Sequence, residues 1–169
     1  MCKRVLVTLD GSRTSQAVLD EVPRLGPGTA VTLLTVSADP HATAELPHPP
    51  YTGGAPVPGG IVRVPEPRTM ESRSQAYDRA RDQATSYLEA CAVPLRTAGL
   101  DVKVEVRFGD AVEEILAAAK ELDPDVIMMA THGHSALAQV IFGSVAGRVV
   151  GSGVKPVLLV RPRELNGKA

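Results

Sequence analysis

The chain has 169 residues, of which 44% are hydrophobic and 22% are charged, and its formal net charge is −1. These values are typical of one globular domain, and a near-neutral charge argues against electrostatic attraction of the whole chain to nucleic acid or an anionic membrane. Only 3% of the residues are aromatic and none is Trp, which argues against a stacking platform for single strands. The apolar runs are of strand length, too short to span a bilayer.

The two cysteines, Cys2 and Cys91, are too few for a disulfide scaffold and too far apart for a CxxC site. The segment after Met1 lacks the apolar region and cleavage site of a signal peptide. We therefore expect a cytoplasmic protein with reduced thiols, in which Cys91 is a small core or helix residue.

The first strand, Arg4–Asp10, is apolar at nearly every position, as expected for a strand that is covered on both faces. Ser12 or Thr14 can cap a helix that follows it and reaches about Val22. A turn then leads to a second apolar strand, Ala30–Val36.

The periodic pattern stops at about residues 38–68, where eight prolines and two Gly-Gly pairs are concentrated. This composition predicts a flexible insert within a single domain of residues 1–169, and not a second domain. The insert leaves from the carboxyl end of the second strand. Two interpretations are open: a mobile lid or docking arm over a ligand, and an inert solvated loop.

A helix is predicted from about Glu71 to Ala98, followed by a third strand, Asp101–Phe108. In that strand valines alternate with charged residues, which is typical of a strand near a sheet edge. Asp110, with Glu113 three residues later, matches a capping box for the next helix.

The last elements are an apolar fourth strand at Val126–Ala130, a helix that begins at Gly143 and Ser144 and runs through Val150, and a fifth strand at Pro156–Val160. Alternating strands and helices predict an α/β domain with parallel strands, right-handed crossovers and helices on both faces.

Ligands of open parallel sheets bind outside the carboxyl ends of the strands, where the strand order reverses. The Asp10 carboxylate suits a pair of ribose hydroxyls, and the main chain of Val36 could hydrogen-bond an adenine edge. Gly133 permits close approach of the backbone to an anion, and the N–H groups of residues Gly143–Val145 at a helix N-terminus suit phosphate. Each signal alone is weak, since Gly-Ser before a helix is more often only a cap.

The segments RVLVTLDGSRTSQAVL (residues 4–19) and ATHGHSALAQVIFGSVAGRVVGSGVKP (residues 130–156) resemble the universal stress protein family. Its ATP-binding members carry Gly, two residues, Gly, nine residues, then Gly-Ser or Gly-Thr. Here Ala130, Gly133, Gly143 and Ser144 occupy the four marked positions, so only Ala130 departs from the pattern. The resemblance implies a single Rossmann-like domain with a five-stranded parallel sheet of order 3-2-1-4-5.

The resemblance also implies that the chain binds ATP, with or without Mg²⁺, through Asp10 at the ribose, the Val36 main chain at the adenine, and the later motif at the phosphates. The complete set of predicted nucleotide-binding residues is Thr8, Leu9, Asp10, Val36, Ala130, Gly133, His134, Gly143, Ser144 and Val145. If Ala130 needs a positive φ, affinity would fall by up to about tenfold. If its φ is negative, the methyl group matters only where it touches phosphate.

The function that the resemblance implies is that of an ATP-binding, nucleotide-dependent stress-response regulator, with no catalytic residue predicted. No P-loop is present, and a His-x-His pair at residues 132–134 without a third ligand is a poor metal site. Two alternatives are open: a dimeric stress-response interaction module that binds no nucleotide, and a slow ATPase.

The fifth strand is a short apolar run at a predicted sheet edge, which favours pairing with another strand. In the resembled family this strand pairs across a homodimer. The residues expected at that interface are Val157, Leu158, Leu159 and Val160. We expect no nucleic acid or membrane partner, and the protein partner is not specified by the sequence.

Overall fold

The computed structural model describes residues 3–39, 73–131 and 143–161, so Cys2 and most of the Pro-rich insert lie outside the described residues. The strands are β1 (Arg4–Thr8), β2 (Ala30–Ser37), β3 (Asp101–Phe108), β4 (Val126–Ala130) and β5 (Val157–Val160). The helices are α1 (Arg13–Gln16), α2 (Arg73–Thr97), α3 (Ala111–Leu122) and α4 (Ser144–Ser152).

The strands form one sheet in the order β3-β2-β1-β4-β5, and every neighbouring pair is parallel. This confirms the predicted fold and topology, including the edge positions of β3 and β5. The central strands β1 and β4 are buried along most of their length, because helices cover both faces of the sheet.

Each face of the sheet carries its own apolar core. On one face, valines of β1 and β2 pack against α2, where Leu88, Cys91 and Leu95 are buried. On the other face, Leu6 and Ile127 pack against α3 and α4. Cys91 is therefore a core residue of a helix, as predicted.

The prediction that the first helix reaches Val22 is wrong. Helix α1 ends at Gln16, and two 3₁₀ turns, Ala17–Asp20 and Val22–Leu25, continue the segment. Pro23 has no N–H group to donate, so an α-helix from Arg13 could not continue its hydrogen bonds through this residue. The predicted cap is confirmed, since the Ser12 side chain accepts a hydrogen bond from Ser15 N at 3.0 Å.

Some other boundaries shift by one or two residues. Strand β1 ends at Thr8 and not at Asp10, because the Asp10 N–H donates to the Ser15 hydroxyl and leaves the strand ladder. Helix α4 extends past Val150 to Ser152 and ends at the left-handed Gly153. The Asp110 cap of α3 is confirmed, with its carboxylate accepting from the first-turn main chain.

Among the helices that the structure describes, none combines the length and the apolar character that crossing a membrane requires.

Candidate functional site

A cleft of about 330 Å³ lies at the carboxyl edge of the sheet, between the ends of β1 and β4. It therefore lies where the strand order reverses, and its volume is in the range of small-molecule sites. Its lining residues are Thr8, Leu9, Asp10, Ser15, Leu34, Val36, Ala111, Ile115, Met129, Ala130, Gly143, Ser144, Val145 and Ala146.

The structure brings together eight of the ten residues predicted for the site, namely Thr8, Leu9, Asp10, Val36, Ala130, Gly143, Ser144 and Val145. The other two, Gly133 and His134, lie outside the described residues. Ser15 and Ile115 also line the cleft, and neither was predicted as a site residue. Their places in the cleft depend on contacts between elements that are distant in the sequence.

The turn after β1 holds Asp10 at the cleft. One carboxylate oxygen of Asp10 accepts a hydrogen bond from Ser12 N at 2.9 Å, and its own N–H donates to Ser15 Oγ at 3.3 Å. Between them, Gly11 has φ +81°, a conformation that favours glycine. Because Asp10 is exposed while Ser15 is only 6% exposed, an anchored turn presents a carboxylate to the cleft.

The main chain of Val36 lies where β2 runs past the end of β1. In the described main chain, the last hydrogen bond between these two segments runs from Leu9 N to Leu34 O, at 2.9 Å. Alternate residues of a strand direct their main-chain groups to the same side. The N–H and C=O of Val36 therefore point to the same side as those of Leu34. They lie past the last hydrogen bond to the β1 segment, at the wall of the cleft.

Helix α4 faces the cleft with its N-terminus. Gly143, its N-cap residue, has φ −56° and supplies no side-chain cap. The first helical hydrogen bond runs from Gly147 N to Gly143 O at 2.8 Å, so the N–H groups of residues 144–146 precede the helical ladder. Ser12 and Asp110, by contrast, cap α1 and α3 with their own side chains.

Ala130, the departure from the family pattern, lies in regular strand. It is the last residue of β4 and pairs with Val160. Among the described residues, Asp123 alone combines a side chain with a positive φ. Alanine therefore causes no backbone strain at position 130.

The cleft lining contains no Lys or Arg among the described residues, and Asp10 is its charged member. Asp110 directly precedes the lining residue Ala111, and its second carboxylate oxygen lies 3.8 Å from Arg148 of α4; we call the position of this ion pair the rim of the cleft. Behind the cleft, burial raises the pKa values of Tyr87 and Cys91. Both groups are therefore protonated at neutral pH.

The comparisons with known proteins agree with this architecture. Residues 58–161, more than half of the chain, match the universal stress protein family. The stress response protein NhaX of Bacillus subtilis is 25% identical over 161 residues, which cover 94% of this chain and 97% of that protein.

Two solved structures show the same fold. The structure of MJ0577 from Methanocaldococcus jannaschii has a TM-score of 0.69 and 25% identity, and the match covers 97% of this chain and 99% of that chain. A universal stress protein solved in complex with cAMP has a TM-score of 0.62 and 16% identity, with 95% and 98% of the two chains covered. Because the match spans residues 58–161, more than half of the chain, the chain belongs to the universal stress protein family.

Proposed function

We propose that the chain binds ATP in the cleft at the carboxyl edge of the sheet and acts as a nucleotide-dependent regulator in the stress response. The observation that carries this proposal is the N-terminus of α4, which lies at the cleft without a side-chain cap. Main-chain N–H groups and the helix dipole at such a terminus favour a phosphate group.

The parts of the cleft suit different parts of an adenine nucleotide. The phosphates would lie at the amides of residues 144–146 and the Ser144 hydroxyl, and the ribose hydroxyls at Asp10. The adenine would lie beside the main chain of Val36, between the apolar side chains of Ile115 and Met129, which line the same cleft. The likeness of the fold to a protein solved with cAMP supports this class of ligand.

Mg²⁺ would enter with the nucleotide. The ion prefers oxygen ligands and is commonly held by one or two protein groups together with substrate phosphates. The Ser144 hydroxyl, at the proposed phosphate position, is an oxygen donor at the cleft and fits this requirement. When bound, the ion would offset phosphate charge, which matters because no cationic side chain lines the described cleft.

A homodimer through β5 is part of the proposal. Val157 and Leu159 of this edge strand pack into the core beneath α3 and α4, whereas Leu158 is 44% exposed. An exposed apolar side chain on an edge strand favours pairing with another chain. The cleft and this edge involve different residues, so the two parts of the proposal can fail separately.

The test of ATP binding combines two measurements on the purified protein. Small molecules released by denaturation are identified by mass spectrometry, and ATP is titrated by calorimetry into the wild type and into a Gly143→Val, Ser144→Ala double variant. Gly143 has a negative φ, so valine adds bulk there without left-handed strain. We expect the double variant to lose binding and keep its fold.

Gly151→Val is the matched control, because Gly151 also lies in α4 and a Cβ built there meets no atom within 4 Å. This variant should bind ATP like the wild type. A wild type that neither retains nor binds adenine nucleotides at millimolar concentration would overturn the proposed function.

A further inference from the structure

The part of the cleft lining that the structure describes has no cationic side chain for a triphosphate ligand. ATP brings several negative charges, Asp10 adds another, and the described lining offers main-chain amides and hydroxyls but no Lys or Arg. The amides of one helical turn match a single phosphate group well. Each additional phosphate adds charge that these neutral donors do not offset.

Arg148 is a cation on α4, the helix whose N-terminus lines the cleft. It lies four residues after Ser144 and therefore on the same face of α4, one turn further from the cleft. Side chains of a helix lean toward its N-terminus, and the guanidinium indeed lies at the N-terminus of α3, 3.8 Å from Asp110 Oδ2. Asp110 directly precedes Ala111, which lines the cleft.

The contact that holds Arg148 at the rim is weak. Asp110 uses its other oxygen, Oδ1, to accept hydrogen bonds from Val112 N and Glu113 N, each at 3.0 Å. The separation of 3.8 Å exceeds the length of a charge-assisted hydrogen bond, and 61% of the Arg148 side chain is exposed. Ion pairs of this kind contribute little to stability, so exchanging one anionic partner for another costs little.

We propose that Arg148 makes the cleft prefer ATP over AMP. When ATP binds, the guanidinium leaves Asp110 and pairs with the phosphates beyond the first. This inference rests on the proposed function, because it assigns a specificity-determining residue to the same cleft. Asp110 acts as the competing anion, and it still caps α3 after the exchange because the cap uses Oδ1. AMP, whose one phosphate is held by the first-turn amides, does not require the exchange.

The test measures the dissociation constants of ATP and AMP by calorimetry for the wild type, Arg148→Gln, Asp110→Asn and the double variant. Arg148→Gln should raise the dissociation constant of ATP by about fivefold and change that of AMP by less than about twofold. Asp110→Asn keeps a good cap residue, and it should tighten ATP by about twofold. That gain should disappear in the double variant.

Arg24→Gln is the matched control, since it removes the same charge from an exposed arginine paired with Glu21, before the amino end of β2. It should change neither constant. Equal weakening of ATP and AMP by Arg148→Gln, or an effect no larger than that of Arg24→Gln, would overturn the assignment of Arg148 while ATP binding stands. A wild type that binds neither nucleotide would overturn the proposed function itself, and the inference with it.

Discussion

The Ser15 hydroxyl accepts a hydrogen bond from Asp10 N at 3.3 Å and donates one to Ser12 O at 2.9 Å. This buried side chain thus connects the end of β1 to the start of α1 across the turn that carries the Asp10 carboxylate. The position of the proposed ribose ligand therefore depends on a residue five positions later in the chain.

Ser15→Ala should remove both bonds and leave the Asp10 N–H without this acceptor. We expect a loss of about 1–2 kcal/mol in the free energy of unfolding, together with several-fold weaker ATP binding, because the carboxylate is less well positioned. Urea denaturation and calorimetry measure the two effects. Ser152→Ala, which removes a hydroxyl bonded to Val149 O at the far end of α4, is the control and should leave ATP affinity unchanged. Unchanged affinity in Ser15→Ala would show that Asp10 needs no such anchoring.

Ala130→Gly restores the glycine of the family pattern. Because Ala130 ends a regular strand without positive φ, glycine relieves no strain and adds backbone freedom to the unfolded chain. We expect the free energy of unfolding to fall by about 0.5–1 kcal/mol. ATP affinity, measured by calorimetry, should stay within about twofold of the wild type. A tenfold gain in affinity would instead mean that the methyl group obstructs the phosphate.

Leu158→Lys tests the proposed dimer. The variant places a charge on the exposed side of the edge strand β5, so we expect monomers by size-exclusion chromatography with light scattering, where the wild type gives dimers. Val93→Lys changes a more exposed apolar residue, 59% exposed on α2, and should remain dimeric. A dimer that persists in Leu158→Lys would place the interface elsewhere, and a monomeric wild type would exclude it.

Asp125, at the amino edge of the sheet, makes the free energy of unfolding depend on pH. Its Oδ2 accepts hydrogen bonds from Lys3 N at 2.7 Å and Arg4 N at 3.0 Å. These bonds hold its pKa below the ordinary value of 3.8. A lowered pKa in the folded state means that this stabilisation is complete above the unfolded value and is lost as pH falls through the folded value.

The free energy of unfolding, measured in urea from pH 7 to pH 2, should therefore separate the wild type from Asp125→Asn mainly above about pH 4. The two curves should converge at lower pH. Protonation of Asp125 there removes from the wild type the stabilisation that Asp125→Asn has already lost. Asp82→Asn, at an exposed position of α2, is the control and should follow the wild type throughout. Curves that stay parallel down to pH 2 would contradict this assignment to Asp125.

Much of the architecture could be predicted because parallel strands place their carboxyl ends at one edge. The ends of β1, β2 and β4 therefore had to meet, and Asp10, Val36 and Ala130 line one cleft as a consequence. The short α1 was not predicted, since Ala17 and Val18 fit helical spacing and only the tertiary structure shows that 3₁₀ turns replace the helix.

The contacts of Arg148 and Ser15 were not predicted from the sequence. The pairing of Arg148 with Asp110 joins residues 38 positions apart through the packing of α4 beside α3. Ser15, in turn, has the local pattern of an ordinary first-turn helix residue. Neither follows from periodicity or from motif spacing. The Arg148–Asp110 pair depends on how α4 packs beside α3, and the Ser15 hydrogen bonds depend on the conformation of the turn between β1 and α1.

The central claim is that main-chain amides at the start of α4 hold the phosphates of an adenine nucleotide. Amide chemical shifts of the ¹⁵N-labelled protein, followed during titration with ATP and Mg²⁺, test it residue by residue. We predict the largest shifts at Ser144, Val145 and Ala146, with smaller shifts at Gly11 and Val36. An unchanged spectrum at millimolar ATP, or shifts confined to the amino edge of the sheet around Lys103, would contradict it.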